Sequence, residues 1–169
     1  AKMPKLPPYA SKLAGMLLGF NQIYQIIVTL GVESTMPKTP EFERLHSHAM
    51  LVSVLAFEIA HIARLGNAPL LSTLGLLHDI GKSVIALLCM QNPKMGFLIR
   101  QLEPDGIGPL LLREWKIPEL VCNTLDYQAL PEQLPPESIP EDYRRNVAVL
   151  YLSHLCLELM SGTPESDLP

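Results

Sequence analysis

Apolar residues recur along this chain at intervals of three and four rather than two, and breaks rich in Pro and Gly cut the pattern into segments of helical length. That period sets the apolar side chains on one face of a helix and leaves no alternating run for a half-buried strand. The clearest segment is 41–64, with Leu45, Val52, Leu55, Ala56, Ile59 and Ala63 at apolar positions, Pro40 in front and Gly66 behind. After Ala68-Pro69, the positions Leu70, Leu74, Leu77, Val84, Ile85 and Leu88 form one stripe, with Gly81 in line to admit a close neighbour. They predict a single buried helix. Residues 12–19 and 22–32 predict two shorter helices ahead of a loop at 36–40. Asn92-Pro93 and Glu103-Pro104-Asp105-Gly106 punctuate two more, and Pro118 opens another that runs to about Tyr127. Residues 130–140, with four prolines, predict irregular chain, and 141–160 a last amphipathic helix. The expected class is all-α.

At 169 residues the chain is long enough for one well-buried core, so a single domain over 1–169 is expected. Its 17 Asp and Glu against 13 Lys and Arg offer a phosphate backbone no general attraction, which argues against nucleic acid as a partner. Cys89, Cys122 and Cys156 lie far apart in apolar helical stretches without a C-x-x-C pair. They read as buried, reduced thiols of a cytoplasmic protein, and not as a thiolate zinc site. Residues 1–10 lack the apolar core of a signal peptide, and no run of about 18 uncharged apolar residues occurs. A soluble chain without a membrane span is expected.

The exception within the apolar pattern is GLLHDIGKS at 75–83. Burying both His78 and Asp79 is costly unless each finds a partner, so the pair is structural or functional. Successive helical side chains point about 100° apart, so the two meet at one ion only if it sits in the sector between them and other helices complete the shell. His46 or His48 upstream and His154 downstream are the candidates, since His61 lies one helical face away from His48. A mixed His and carboxylate shell with open positions suits a first-row divalent metal, which activates water and offsets phosphate charge.

Leu76-Leu77-His78-Asp79-Ile80-Gly81-Lys82 resembles the signature of the HD superfamily, whose metal-dependent phosphohydrolases use an upstream His, the His-Asp doublet and a late Asp. His48, followed by Val52, Ala56 and Ala60, takes the upstream position. More narrowly, Leu17-Leu18-Gly19-Phe20-Asn21 with Ile26-Ile27-Val28, and GPLLLREWKIP at 108–118, resemble the HDOD domain, the HD-related output domain of bacterial signalling proteins. The similarity runs over about 11–160 and implies a helical bundle of six to eight helices. The family's N-terminal helices with their Asn-Ser-Ala motif have no counterpart, so the chain resembles the later part of an HDOD unit or a shortened member.

The departures bear on chemistry. Where the late Asp is expected stands Leu152-Ser153-His154-Leu155, so an anionic ligand is replaced by imidazole. Asp105 and Asp126-Tyr127-Gln128 stand where the related HD-GYP phosphodiesterases carry further histidines, and the Gly-Tyr-Pro signature is absent, so no binuclear or trinuclear site is expected. Lys82 reads as an ion-pair partner of Asp79 or, in an active enzyme, as a phosphate contact. Trp115 with Pro118 is expected to anchor a helix corner by burial.

The resemblance and its departures together imply a noncatalytic HDOD-type regulatory module acting through protein or ligand binding. The resemblance implies receiver, diguanylate cyclase or kinase modules as partners, and an unshielded apolar surface would favour a homodimer. No cofactor is required. The alternative is a mononuclear phosphohydrolase with Mn, Fe, Zn or Ni at His48, His78, Asp79 and His154.

Overall fold

A computed structural model describes residues 37–162. The helices expected at 12–19 and 22–32 lie outside the described residues, as does part of the single domain expected over 1–169. By its internal contacts the chain divides between Thr35 and Met36, and all the described residues belong to the second unit.

Helix α1, Pro40–Ile62, starts where Pro40 presets the first turn and Glu41 and Glu43 face the positive end of the helix. It stops before Arg64 and Gly66, both at positive φ. After it come α2, Ala68–Leu77, and α3, Ile80–Gln91. The one-turn α4, Gly96–Ile99, follows a 3-10 turn at Pro93–Met95. Then α5 spans Pro104–Glu114, α6 Glu119–Asp126 and α7 Glu141–Met160. No strand occurs among the described residues, and the all-α class is as read from the period.

The apolar stretch 70–88 is two helices, not the one expected, because the chain breaks at His78-Asp79. The segment 130–140 is also more ordered than its prolines imply, holding single 3-10 turns at Leu130–Glu132 and Pro136–Ser138. Trp115 is 49% exposed and so does not anchor its corner by burial. All three cysteines are free; Cys122 is buried, Cys89 and Cys156 only partly.

The core lies where α1, α2 and α7 meet, with α5 and α6 closing one side. Val52, Leu71, Leu74, Leu77, Leu112, Leu125, Val147 and Leu150 are fully buried there, each stabilising the fold by about 1.5–3 kcal/mol. The face that α1 turns inward carries small residues, Ala49, Ser53, Ala56 and Ala60. They let α2 approach until Ser53 Oγ and Ser72 Oγ share a buried hydrogen bond of 2.8 Å. By length and apolar composition Pro40–Ile62 and Ala68–Gln91 each match a bilayer-crossing helix. Here the second is broken at a buried His-Asp pair, and the two stretches pack on one another.

Candidate metal centre

The break between α2 and α3 is what aims the doublet. His78 keeps helical angles, whereas Asp79 moves to φ −103°, ψ 16° and caps α3, its carbonyl accepting from the amides of Lys82 and Ser83. On a continuous helix the two side chains would diverge. Here His78 Nε2 lies 3.3 Å from Asp79 Oδ2.

A second contact fixes the imidazole. His78 Nδ1 is 2.6 Å from the Gly75 carbonyl, which only accepts, so Nδ1 carries the proton and Nε2 of the neutral ring presents its lone pair inward. That lone pair faces a carboxylate that also only accepts. The contact is favourable when a cation lies between them, either a proton on Nε2 or a metal ion.

From α1, His48 brings its Nε2 to 3.2 Å from His78 Nε2 and 3.6 Å from Asp79 Oδ2. These three atoms make a triangle with edges of 3.2, 3.3 and 3.6 Å. A tetrahedral shell with bonds of about 2.1 Å has edges of about 3.4 Å. From α7, His154 sets its ring 4.6 Å from that of His78 and 5.4 Å from that of His48. One ligand atom from each of the three histidines falls within 4.8 Å of the others. Of the upstream histidines His48 is at the cluster, and the exposed His61 stacks on Phe57 instead.

The charges are close to balanced. Burial alone would raise the Asp79 pKa, but a proton on His78 Nε2, through its hydrogen bond and charge, and the Lys82 ammonium, 2.9 Å from Oδ2, outweigh it and hold the carboxyl well below its usual range. Burial and then the neighbouring His78 lower His48. Burial, then His78 and His48, lower His154 to about 4. A depressed His favours unfolding wherever the unfolded chain takes a proton that the folded chain refuses. This group's contribution is therefore intact above its ordinary value of 6.5 and lost as pH falls toward about 4. Melting temperatures of the metal-free chain are expected to drop across that window, and His154→Gln to flatten the drop.

Two further residues complete the cleft. Gln128 Nε2 donates to the His78 carbonyl at 3.1 Å and to Asp105 Oδ1 at 3.1 Å, tying α5 and the end of α6 to the doublet. The sequence marks both positions only as places where a histidine is missing. With Tyr151 and Glu158, one turn to either side of His154, they line a cleft of about 340 Å³ that contains Lys82 and all four candidate ligands. The donor chemistry, the triangle and the pinned His78 tautomer fit a first-row divalent ion.

A model of the HDOD domain matches residues 12–103, which includes His48, His78, Asp79 and Lys82 but stops short of His154. No curated protein matches the chain. Among solved structures, the chain is similar to a provisionally named phosphohydrolase from Shewanella amazonensis SB2B, with a TM-score of 0.64 at 20% identity. The match covers 88% of this chain and 59% of the other, so this chain spans less than two thirds of its neighbour's length, and the likeness is one of fold. The family match covers more than half of the chain and carries the His-Asp doublet with its upstream His: this chain belongs to the HDOD domain family.

Proposed function

We propose that the chain is a noncatalytic regulatory domain of bacterial signalling that works in the cytoplasm. It acts on receiver, diguanylate cyclase or kinase modules, or on a second copy of itself, through contacts that a ligand in the cleft adjusts. One observation carries this reading: Asp79, the carboxylate at the cluster, is already matched by the Lys82 ammonium at 2.9 Å. The additional donor, His154, is neutral at pH 7. In the set of His48, His78, Asp79, Lys82 and His154 the one carboxylate thus already has a counter-ion and the one lysine is engaged inside the protein, so Lys82 is not free to meet a phosphate substrate. The family match supports the regulatory role by likeness only.

The triangle of His48, His78 and Asp79 favours a second reading, a mononuclear phosphohydrolase. His48, His78, Asp79 and His154 would then hold a divalent ion, which when bound lowers the pKa of water and offsets phosphate charge. Lys82 separates the two readings. As a counter-ion for Asp79 with its own side chain 48% exposed, it stabilises the fold modestly. Lys82→Ala is then expected to cost about 1 kcal/mol in thermal unfolding, with no phosphoesterase activity to lose. A wild type that hydrolyses p-nitrophenyl phosphate with a divalent ion, and a Lys82→Ala chain that binds that substrate more weakly, would favour the enzyme.

A further inference from the structure

A third imidazole at the cluster, His154, sets which ion the cluster suits. We infer that His48, His78, His154 and Asp79 form a nitrogen-rich site for a borderline divalent ion, with Zn²⁺ as its representative, and that His154 on α7 sets the preference against Mg²⁺ and Mn²⁺.

Three imidazoles from three separate elements bring ligand atoms within 4.8 Å of one another, and two of them form a tighter triangle with Asp79. Histidines that merely fill a core have no need to converge in this way, and His48 remains 34% exposed at the cleft, where an ion has access. Hard ions such as Mg²⁺ take oxygen ligands and retain water, whereas imidazole suits Zn²⁺ and its neighbours. For a given nitrogen and oxygen site, affinity also rises from Mn²⁺ toward the later ions. The Gly75 carbonyl orients His78 as an outer partner of a metal ligand does, by holding the proton on the nitrogen that faces away.

The elements that carry the donors give such an ion a mechanical role. His48 lies on α1, the doublet at the α2–α3 junction, and His154 on α7, the last helix described. An ion held by all three clasps α7 onto the earlier helices. This deepens the regulatory reading by naming its ligand, and it is tested by binding alone, so it can fail while that reading stands.

The test uses the full chain, freed of metal by chelator and then passed through a desalting column after addition of Zn²⁺ or Mn²⁺. One Zn²⁺ per chain is expected to be retained and to raise the melting temperature, while Mn²⁺ at the same concentration is not retained. Loss of an outer partner alone weakens metal binding by about 10- to 100-fold, so His154→Ala is expected to weaken Zn²⁺ by at least about 100-fold. His154→Asp is expected to narrow the preference for Zn²⁺ over Mn²⁺. Equal retention of the two ions by wild type, no retention by folded wild type, or Zn²⁺ binding that survives in a folded His154→Ala chain would each overturn the assignment. The wild-type comparison needs no variant, so it holds even if a substitution at residue 154 fails to fold.

Discussion

Gly81→Ala is expected to lose more than about 3 kcal/mol of stability, enough to unfold a substantial fraction of a marginally stable domain. A Cβ at Gly81 would overlap the Pro104 carbonyl oxygen and stand 2.8 Å from its carbon and 3.0 Å from the Gly108 amide nitrogen. All three are backbone atoms at the start of α5, so no side chain can swing aside. Helix propensity acts the other way, since Ala gains about 1 kcal/mol over Gly inside a helix, and a net loss therefore reports the clash. Gly106→Ala supplies the control: it lies in α5 with nothing within 4 Å of the added carbon. It is expected to be neutral or stabilising by up to about 1 kcal/mol in urea unfolding. Because Asp105 follows Pro104, the displaced turn also moves the carboxylate that holds Gln128 over His78.

Gly75→Ala is expected to cost about 2–3 kcal/mol and to weaken the metal centre as well. Its Cβ would meet Ser53 Cα at 2.7 Å, Ser53 N at 2.8 Å and Val52 C at 2.9 Å, the backbone of α1. Pushing α1 away from α2 stretches the Ser53–Ser72 bond and draws His48 away from His78. The expected signature is a paired loss, with urea unfolding at lower concentration and weaker Zn²⁺ retention by the chain that remains folded. A stable Gly75→Ala protein with unchanged Zn²⁺ binding would show that the closeness of α1 and α2 does not set the ligand spacing.

How much of the fold is legible in the sequence depends on how local the cause is. The last helix, expected over 141–160, is found there, because its polar first turn and Pro140 mark its start without help from the rest of the fold. The long helix expected over 41–64 is Pro40–Ile62 for the same reason, but its buried face is Phe42, Ala49, Val52, Ser53, Ala56 and Ala60, without Leu45, Leu55, Ile59 and Ala63 of the expected stripe. Close approach by α2, which no single segment encodes, selects the small side chains. The break at His78-Asp79 is hidden in the sequence because apolar residues run through it in helical register, while the contacts made by leaving the helix, Lys82 at 2.9 Å and His48 from α1 at 3.6 Å, depend on the folded geometry. Gly81 reads as a point of close approach, and its neighbour proves to be α5.

The site shows the same division. His48, His78, Asp79 and His154 stand out together in the sequence, and the helices bring all four to one cleft. Lys82 reads as an ion-pair partner of Asp79, and it occupies that place. Asp105 and Gln128 do not stand out as participants because neither is a histidine where one is expected; their part is to hold the His78 carbonyl from elements that lie 27 and 50 residues further along the chain. Trp115 departs from its expected burial since the burial of a large aromatic is a property of its surroundings, and here the corner it occupies faces solvent.

The central claim is that the cleft holds its ligand without transforming it. The most direct measurement is turnover by the full chain loaded with Zn²⁺ or Mn²⁺, on p-nitrophenyl phosphate, bis(p-nitrophenyl) phosphate and common nucleotides, beside an Asp79→Ala preparation. No product above that of the Asp79→Ala chain is the expected result. Metal-dependent release of phosphate that disappears with Asp79→Ala would contradict it and make the His-Asp doublet the centre of a phosphohydrolase.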